Sequence, residues 1–375
     1  MHINADLLKH RIEACLVLGA YGDALGAPVE FLNRGQILAQ YTPTGIRSLS
    51  RAYGRVGAIT DDTQMTLFTA EGLLRACLRE MSRGVVHAES VVDYAYLRWL
   101  GTQGVSTEFT ERALESPSFL VEALGAYVPR APGNTCIGAL HRKTKVGSQA
   151  ENDSKGNGGV MRIAPVAALA AAKGLPAEWV FTVGCQLAGL THGHPTGKVA
   201  SGFFAVLIYM ALRSESGDLR QITIDCLTQL ENGQLPTPAE NLLGIEETSE
   251  AVSTALELSK SGHLHLDLPE ELGQGWVAEE AVAIALYSAL LNAPTDHDRV
   301  CYAVNITGDS DSTGSMCGQI LGALHGPRAL NGVEDLETLE HLELVRSVAH
   351  DLYNSKSWSY GDGVSNVLFE RYPPT

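Results

Sequence analysis

Apolar residues recur at helical spacing along almost the whole chain, and few stretches alternate at period two. This pattern constrains the fold more than any other feature. It leaves little material for strands and obliges each helix to bury one face against another. Leu8, Ile12, Cys15, Leu16 and Gly19 share one face of a helix predicted over 5–24. Leu67, Ala70, Leu74, Cys77 and Leu78 mark a second, long one. Further helices are predicted over 88–100, 119–125, 163–172, 176–190, 195–212, 218–230, 239–260, 277–291 and 338–354. Residues 101–116 read as a surface loop or short helix, and 32–56 as irregular. Abundant Ala and Gly favour close helix packing, and no repeat, low-complexity run or linker interrupts the pattern. The expectation is a single compact all-α domain over 1–375.

Within that helical background, two acid–hydroxyl clusters lie far apart in sequence. Thr60, Asp61, Asp62 and Thr63 precede one helix, and Asp309, Asp311, Ser312 and Thr313 precede another, after an apolar segment ending at Gly308. Each cluster reads as a helix cap, since hydroxyls and carboxylates accept from free backbone N–H groups. Capping needs only one side chain, however. Paired carboxylates beside hydroxyls also make a hard-oxygen donor set suited to Mg2+, Mn2+ or Ca2+. If they form one site, the fold must bring the two clusters together.

Other stretches carry candidate chemistry. Gly22-Asp23-Ala24-Leu25-Gly26-Ala27-Pro28-Val29-Glu30-Phe31 follows the first helix. Asp23 reads as a structural carboxylate tying nearby backbone; Glu30 reads as an exposed acid or as a catalytic one carried on a loop. The polar run 141–155 is a solvated face or a contact for an anion. It feeds into Gly156-Asn157-Gly158-Gly159, a turn able to offer backbone N–H groups to phosphate. No Gly-Lys-Ser/Thr follows it, so it is not a phosphate-binding P-loop. His192 and His194 stand two apart, a weak zinc signal that fits ligand contact or helix capping equally. His263 and His265 are expected at the surface.

The formal net charge is −16, which argues against non-specific nucleic-acid binding, because that runs on phosphate neutralisation by Lys and Arg, but does not exclude a local basic site. The seven cysteines are odd in number, form no Cys-x-x-Cys pair and lie mostly in apolar helical stretches. They read as reduced core thiols of a cytoplasmic protein. No signal peptide is expected, nor any membrane-spanning stretch free of polar breaks.

Taken together, Gly22-Asp23-Ala24-Leu25-Gly26 with Glu30, Thr60-Asp61-Asp62-Thr63, Gly156-Asn157-Gly158-Gly159 with Met161-Arg162, Thr191-His192 and Gly308-Asp309-Ser310-Asp311-Ser312 resemble the ADP-ribosylglycohydrolases. That family includes the dinitrogenase-reductase-activating glycohydrolase. The resemblance runs in order from residue 11 to about 325, with the last helix and tail over 338–375 beyond it. It implies an orthogonal all-helical domain with a binuclear Mg2+ or Mn2+ centre. Matched by motif, Thr60, Asp61, Asp62, Asp309, Asp311 and Ser312 would be the metal ligands. The last position is often Thr in the family, and Ser keeps its hydroxyl. Glu30 matches an acid near the metals in some members. Ser154, Gly156, Asn157 and Gly158 would line the diphosphate and ribose region, with His192 beside the ligand. Lys155 departs from an aromatic residue in some relatives.

The reaction implied is hydrolysis of the glycosidic bond that joins ADP-ribose to a side chain. Its transition state should resemble an oxocarbenium ion, with the two ions about 4 Å apart orienting sugar and water. Glu30, Asp62 and Asp311 are the candidates for the catalytic carboxylate, and the choice among them stays open. Arginine-linked ADP-ribose on a protein is the first-choice substrate, because the Gly22–Phe31 stretch is similar to the bacterial activating glycohydrolases. Two alternatives remain: an immunity protein that binds and occludes an ADP-ribosyltransferase toxin, or a hydrolase of serine-linked, nucleic-acid-linked or small-molecule conjugates.

Overall fold

In the computed structural model the helical periods become seventeen α-helices among the described residues, which are 4–125, 129–264, 267–359 and 363–374. In chain order they are α1 (Ala5–Gly26), α2 (Arg34–Gln40), α3 (Asp61–Arg83), α4 (Ala88–Thr102), α5 (Glu108–Leu114) and α6 (Phe119–Leu124). There follow α7 (Asn134–His141), α8 (Ala164–Lys173), α9 (Ala177–Gly189), α10 (Pro195–Arg213), α11 (Leu219–Glu231) and α12 (Leu242–Leu258). The series closes with α13 (Ala278–Leu290), α14 (Asp296–Val304), α15 (Ser310–His325), α16 (Leu342–Asn354) and α17 (Gly363–Arg371). One small antiparallel hairpin, β1 (Arg51–Ala52) with β2 (Arg55–Val56), sits in the loop before α3. The all-α expectation holds.

The axis of the molecule is α1 packed antiparallel on α15, a pair closer than ordinary side chains allow. A Cβ at Gly22 would lie 2.2 Å from the Gly314 carbonyl oxygen, and one at Gly26 2.4 Å from the Asp311 Cα. Towards the other end, a Cβ at Gly318 would meet the Leu18 carbonyl oxygen at 2.2 Å. Backbone touches backbone at each position, so only glycine fits. The consequence for the site is direct: the C-terminal end of α1 and the N-terminal end of α15 are held side by side.

A second centre is α10, buried against α8, α9, α11, α12, α13 and α15. By length and composition alone α10 is long and apolar enough to cross a membrane, although Lys198 and Ser201 interrupt it. Here its apolar surface is covered by other helices. All seven cysteines are buried and unpaired.

The middle of α3 is locked by a buried ion triad. Glu71 accepts from Arg75 on its own helix (3.0 Å), from Arg98 on α4 (3.2 Å) and from the Ser118 hydroxyl ahead of α6 (2.6 Å). Burial pushes its carboxyl up, but Arg98, Arg75 and Ser118 outweigh that and hold it below the usual value.

Four helices were not anticipated: α2, α7, α14 and α17. The last helix predicted over 338–354 begins only at Leu342, after a 3-10 turn Leu336–Thr338. The tail does pack over the core, where buried Tyr372 meets Phe119 edge-on at 5.3 Å and Trp358 at 6.0 Å. His263 is exposed as expected, whereas His265 lies outside the described residues.

Candidate active site

The two acid clusters converge. Asp61 and Asp62 open α3; Asp309 precedes α15 and Asp311 lies in its first turn. All four line one cavity of about 750 Å³, together with Glu30, Ser312, Asn157, Gly156, Gly158, Met161 and His192. The glycine-packed helix pair supplies Glu30, Asp309 and Asp311, and α3 supplies the other two acids. Donor oxygens of Glu30, Asp309 and Asp311 lie within 4.8 Å of one another, so this cluster could hold a metal ion.

Each acid is held differently. Asp61 accepts from the Gly133 N–H at 3.1 Å, and its own N–H donates to the Arg130 carbonyl. Asp309 accepts from the Asn157 amide at 2.7 Å. Asp311 accepts from the Ser312 N–H at 2.9 Å. Asp62 Oδ1 and Glu30 Oε2 are buried with no hydrogen-bond partner. An orphaned carboxylate oxygen in a dry wall is costly unless something positive meets it.

The electrostatics agree. Burial first, then Asp311, Asp309, Asp61 and Asp23, push the Glu30 carboxyl up to about 11. Burial, then Asp311, Asp23, Asp61 and Asp309, raise Asp62 well above the carboxylate range. Asp61 and Asp311 are likewise raised, by burial before anything else. These acids face one another rather than cations.

Asp23 is the structural member of the cluster. Fully buried at the end of α1, it accepts from the Thr60 and Thr63 N–H groups at 3.1 Å and from the Thr63 hydroxyl. It therefore fastens the start of α3 to α1. Burial and Asp311 raise it to about 7, against the pull of those hydrogen bonds.

Two candidate residues stand behind the wall rather than on it. Thr60 is fully buried, and its hydroxyl caps α3 by accepting from the Asp62 N–H at 3.2 Å. Ser154 bonds the Thr135 hydroxyl at 3.1 Å and accepts from the Gly156 N–H at 3.3 Å. In the glycine-rich turn, the Asn157 N–H donates to the Trp276 carbonyl. The first two N–H groups of that turn are thus used inside the fold. Gly158 is required by crowding, since a Cβ there would lie 2.8 Å from Cys136 Sγ and 3.1 Å from His192 Cε1.

The two histidines divide the roles open to them. His192 lines the cavity, bonded to the Thr191 hydroxyl at 2.8 Å. Burial and the neighbouring Arg162 lower it to about 3, so it stays neutral. His194 instead caps α10 by accepting from the Thr196 N–H at 3.1 Å. Arg162 is fully buried over the Tyr96 ring and donates to Thr191 at 2.7 Å. In the polar run, Lys143 is buried on Asp93 at 2.8 Å, which leaves it no part in ligand contact. Lys155 is tied between Glu247 (3.0 Å) and Glu279.

Other lining residues had no sequence signal strong enough to single them out. Gly133, Asn134 and Thr135 enter from the first turn of α7, and Tyr53 from the hairpin. Phe31 and Trp276 stand at the mouth, 74% and 42% exposed, with rings 6.4 Å apart and inclined by 16°. The one available hint was Pro132-Gly133-Asn134, a chain break followed directly by a helix.

Comparison with known proteins places this geometry. A family model described as ADP-ribosylglycohydrolase matches residues 4–361. The chain is 26% identical over 324 residues to the ADP-ribosyl-[dinitrogen reductase] glycohydrolase of Rhodospirillum rubrum, covering 82% of this chain and 83% of that protein. It is 26% identical over 356 residues to the uncharacterized protein YegU of Escherichia coli strain K12, covering 90% and 94%. Human ADP-ribosylhydrolase ARH3 is 27% identical over 189 residues, 46% of this chain and 51% of that one. A solved structure of an ADP-ribosylglycohydrolase-related protein complex superposes with a TM-score of 0.62 at 24% identity, over 94% of this chain and 99% of that one, a likeness of fold.

Proposed function

The chain belongs to the ADP-ribosylglycohydrolase family, and from that premise we propose that it is a metal-dependent hydrolase releasing ADP-ribose from modified arginine side chains of a protein. The observation that carries the reading is the meeting of Glu30, Asp61, Asp62, Asp309 and Asp311 on one cavity wall. A protein-borne substrate rests on the similarity to the R. rubrum enzyme over most of both chains, and the arginine linkage on the resemblance of the Gly22–Phe31 stretch to the bacterial activating glycohydrolases.

The residues fit a pair of hard divalent cations. The donor set is all oxygen, Asp62 Oδ1 and Glu30 Oε2 are orphaned, and burial, then mutual repulsion, raises the acids. Asp61, Asp62, Asp309, Asp311 and Ser312 would hold the ions, with Glu30 beside them, while Thr60, buried behind the wall with its hydroxyl on the Asp62 N–H, would support them. Bound there, Mg2+ or Mn2+ supplies Lewis acidity towards sugar hydroxyls and makes a water acidic.

The remaining work falls to the chain's own groups. A carboxylate at the anomeric carbon stabilises the positive charge of an oxocarbenium-like transition state and takes the water's proton. Glu30 is a candidate for that role, since it stands on the cavity wall with a buried, unpartnered Oε2. Asn157 orients Asp309, and neutral His192 offers a ring nitrogen to the ligand without adding charge. Gly158 keeps the turn close against Cys136 and His192. The apolar mouth of Phe31 and Trp276 faces the modified side chain.

Free ADP-ribose released from arginine-modified protein, with Mg2+ and with a chelator, tests the reading. Mg2+-dependent release supports it; release from serine-linked or nucleic-acid-linked conjugates alone would replace the substrate. Full protection against an ADP-ribosyltransferase toxin by an Asp61→Ala/Asp311→Ala variant, with tight toxin binding, would replace catalysis by occlusion.

A further inference from the structure

A second cavity of about 710 Å³ lies away from the acid cluster, between the C-terminal half of α3, the start of α4 and the end of α5. Its volume is close to that of the acidic cavity and falls in the range of small-molecule pockets, about 300–1,000 Å³. Its chemistry is the reverse. Arg79, Arg98 and Arg112 all reach it, and Glu115 is the one acid on its wall. Arg98 is neutralised by Glu71 beneath the surface. Arg79 and Arg112 make no ion pair among the described residues, although the protein carries a net charge of −16.

Two unpaired guanidiniums brought to one concave site repel each other, and in so acidic a chain pairing them would have been easy. Their planar donor forks suit phosphate oxygens in particular. The rest of the wall suits what a phosphate would be attached to. Tyr94 is half-buried and presents a ring, Val91 and Ala113 give apolar surface, and Ser90 and Ser116 carry hydroxyls. Val85 stands 78% exposed at the rim. Inorganic phosphate would fill only a small part of such a volume.

We infer that this cavity binds a phosphate ester of nucleotide size, with Arg79 and Arg112 on the phosphate and Tyr94 against the base. The site is separate from the acidic cavity and does not depend on the reading given for it. Its concavity favours a small molecule over an acidic peptide.

Calorimetric titration of the full chain in Mg2+ tests the assignment, with AMP, ribose 5-phosphate and inorganic phosphate as probes. AMP should bind to Asp311→Asn as it does to the unaltered protein. Arg79→Ala and Arg112→Ala should each weaken it roughly tenfold, the value of a charge-assisted hydrogen bond. Both side chains reach solvent, so unchanged melting temperatures would show that these variants fold. AMP should also bind more tightly than ribose 5-phosphate, and that more tightly than phosphate. No AMP binding at millimolar concentration, binding untouched by the arginine substitutions, or binding lost in Asp311→Asn would overturn the site. Equal affinity for the three probes, or binding of a poly-glutamate peptide in place of AMP, would overturn the ligand class.

Discussion

Helix α3 carries buried carboxylates at its N-terminus and at its middle, and the two positions are treated oppositely. Glu71 is enclosed by Arg75, Arg98 and Ser118, and its proton affinity falls below the ordinary value despite complete burial. Asp61 and Asp62 face Asp309, Asp311 and Glu30, and theirs rises. The depth of burial is much the same; the company differs. A carboxylate with its cations built in is finished structure. A group of carboxylates without them is stable only when protonated or when a cation arrives.

The largest effect that would break this comparison is at Glu71. Glu71→Gln should destabilise the protein by about 3–5 kcal/mol, because Arg75 and Arg98 are left buried beside a neutral group. Urea unfolding would measure it, and Mg2+ should not restore the loss. The matching change in the other region, Asp311→Asn, should cut ADP-ribose release by about a hundredfold or more, if several kcal/mol of transition-state stabilisation depend on the acid cluster. Without metal it should leave stability unchanged or raised, since one of several like charges is gone and the amide oxygen still accepts from Ser312. A large loss of stability in chelator would make Asp311 structural, like Glu71.

The pH dependence of the metal's effect comes next in size. Asp23 is raised from 3.8 to about 7 and Glu30 from 4.5 to about 11. The folded state therefore holds protons that the unfolded chain has released. In chelator, the stability this contributes is complete below about pH 4 and is lost as pH rises through 7 and beyond. Mg2+ should offset that loss, adding about 2.7 kcal/mol at a hundred times its Kd. The gain in Tm should be larger at pH 8 than at pH 5. A gain independent of pH would separate the ion from these acids.

The sequence shows the acids but not what surrounds them. Thr60-Asp61-Asp62 and Asp309-Ser310-Asp311 are legible because charged pairs at helix starts are conspicuous and because the whole motif set resembles one family. Glycine spacing in α1 and α15 was visible only as composition, since neither helix says which partner its small face meets. Short helices escaped for a related reason. α2 and α14 have reciprocal caps, Asn33 with Gln36 and Thr295 with Asp298, yet are too short for periodicity to register. Phe31, Tyr53 and Trp276 are single residues on separate turns, and only folding gathers them at one mouth. Lys143 shows the opposite limit, because a basic run in sequence cannot reveal that one member is buried on Asp93.

Asp23 lies between the two regions and gives the smallest, sharpest test. It belongs to the acid cluster by position, but three donors from Thr60 and Thr63 partly satisfy it, so it rises only to about 7 where Glu30 reaches about 11. Asp23→Asn removes a repelling charge and also turns an N–H-bearing group towards those donors. The lost cap costs about 1 kcal/mol. Relief of repulsion recovers part of that in chelator and little once a cation neutralises the cluster. Stability should therefore fall in both conditions, by more with Mg2+ than without, while Mg2+ still binds. If Asp23→Asn instead stabilises the chelated protein as Asp311→Asn is expected to, repulsion outweighs the tie to α3, and Asp23 belongs with the acids that await a cation.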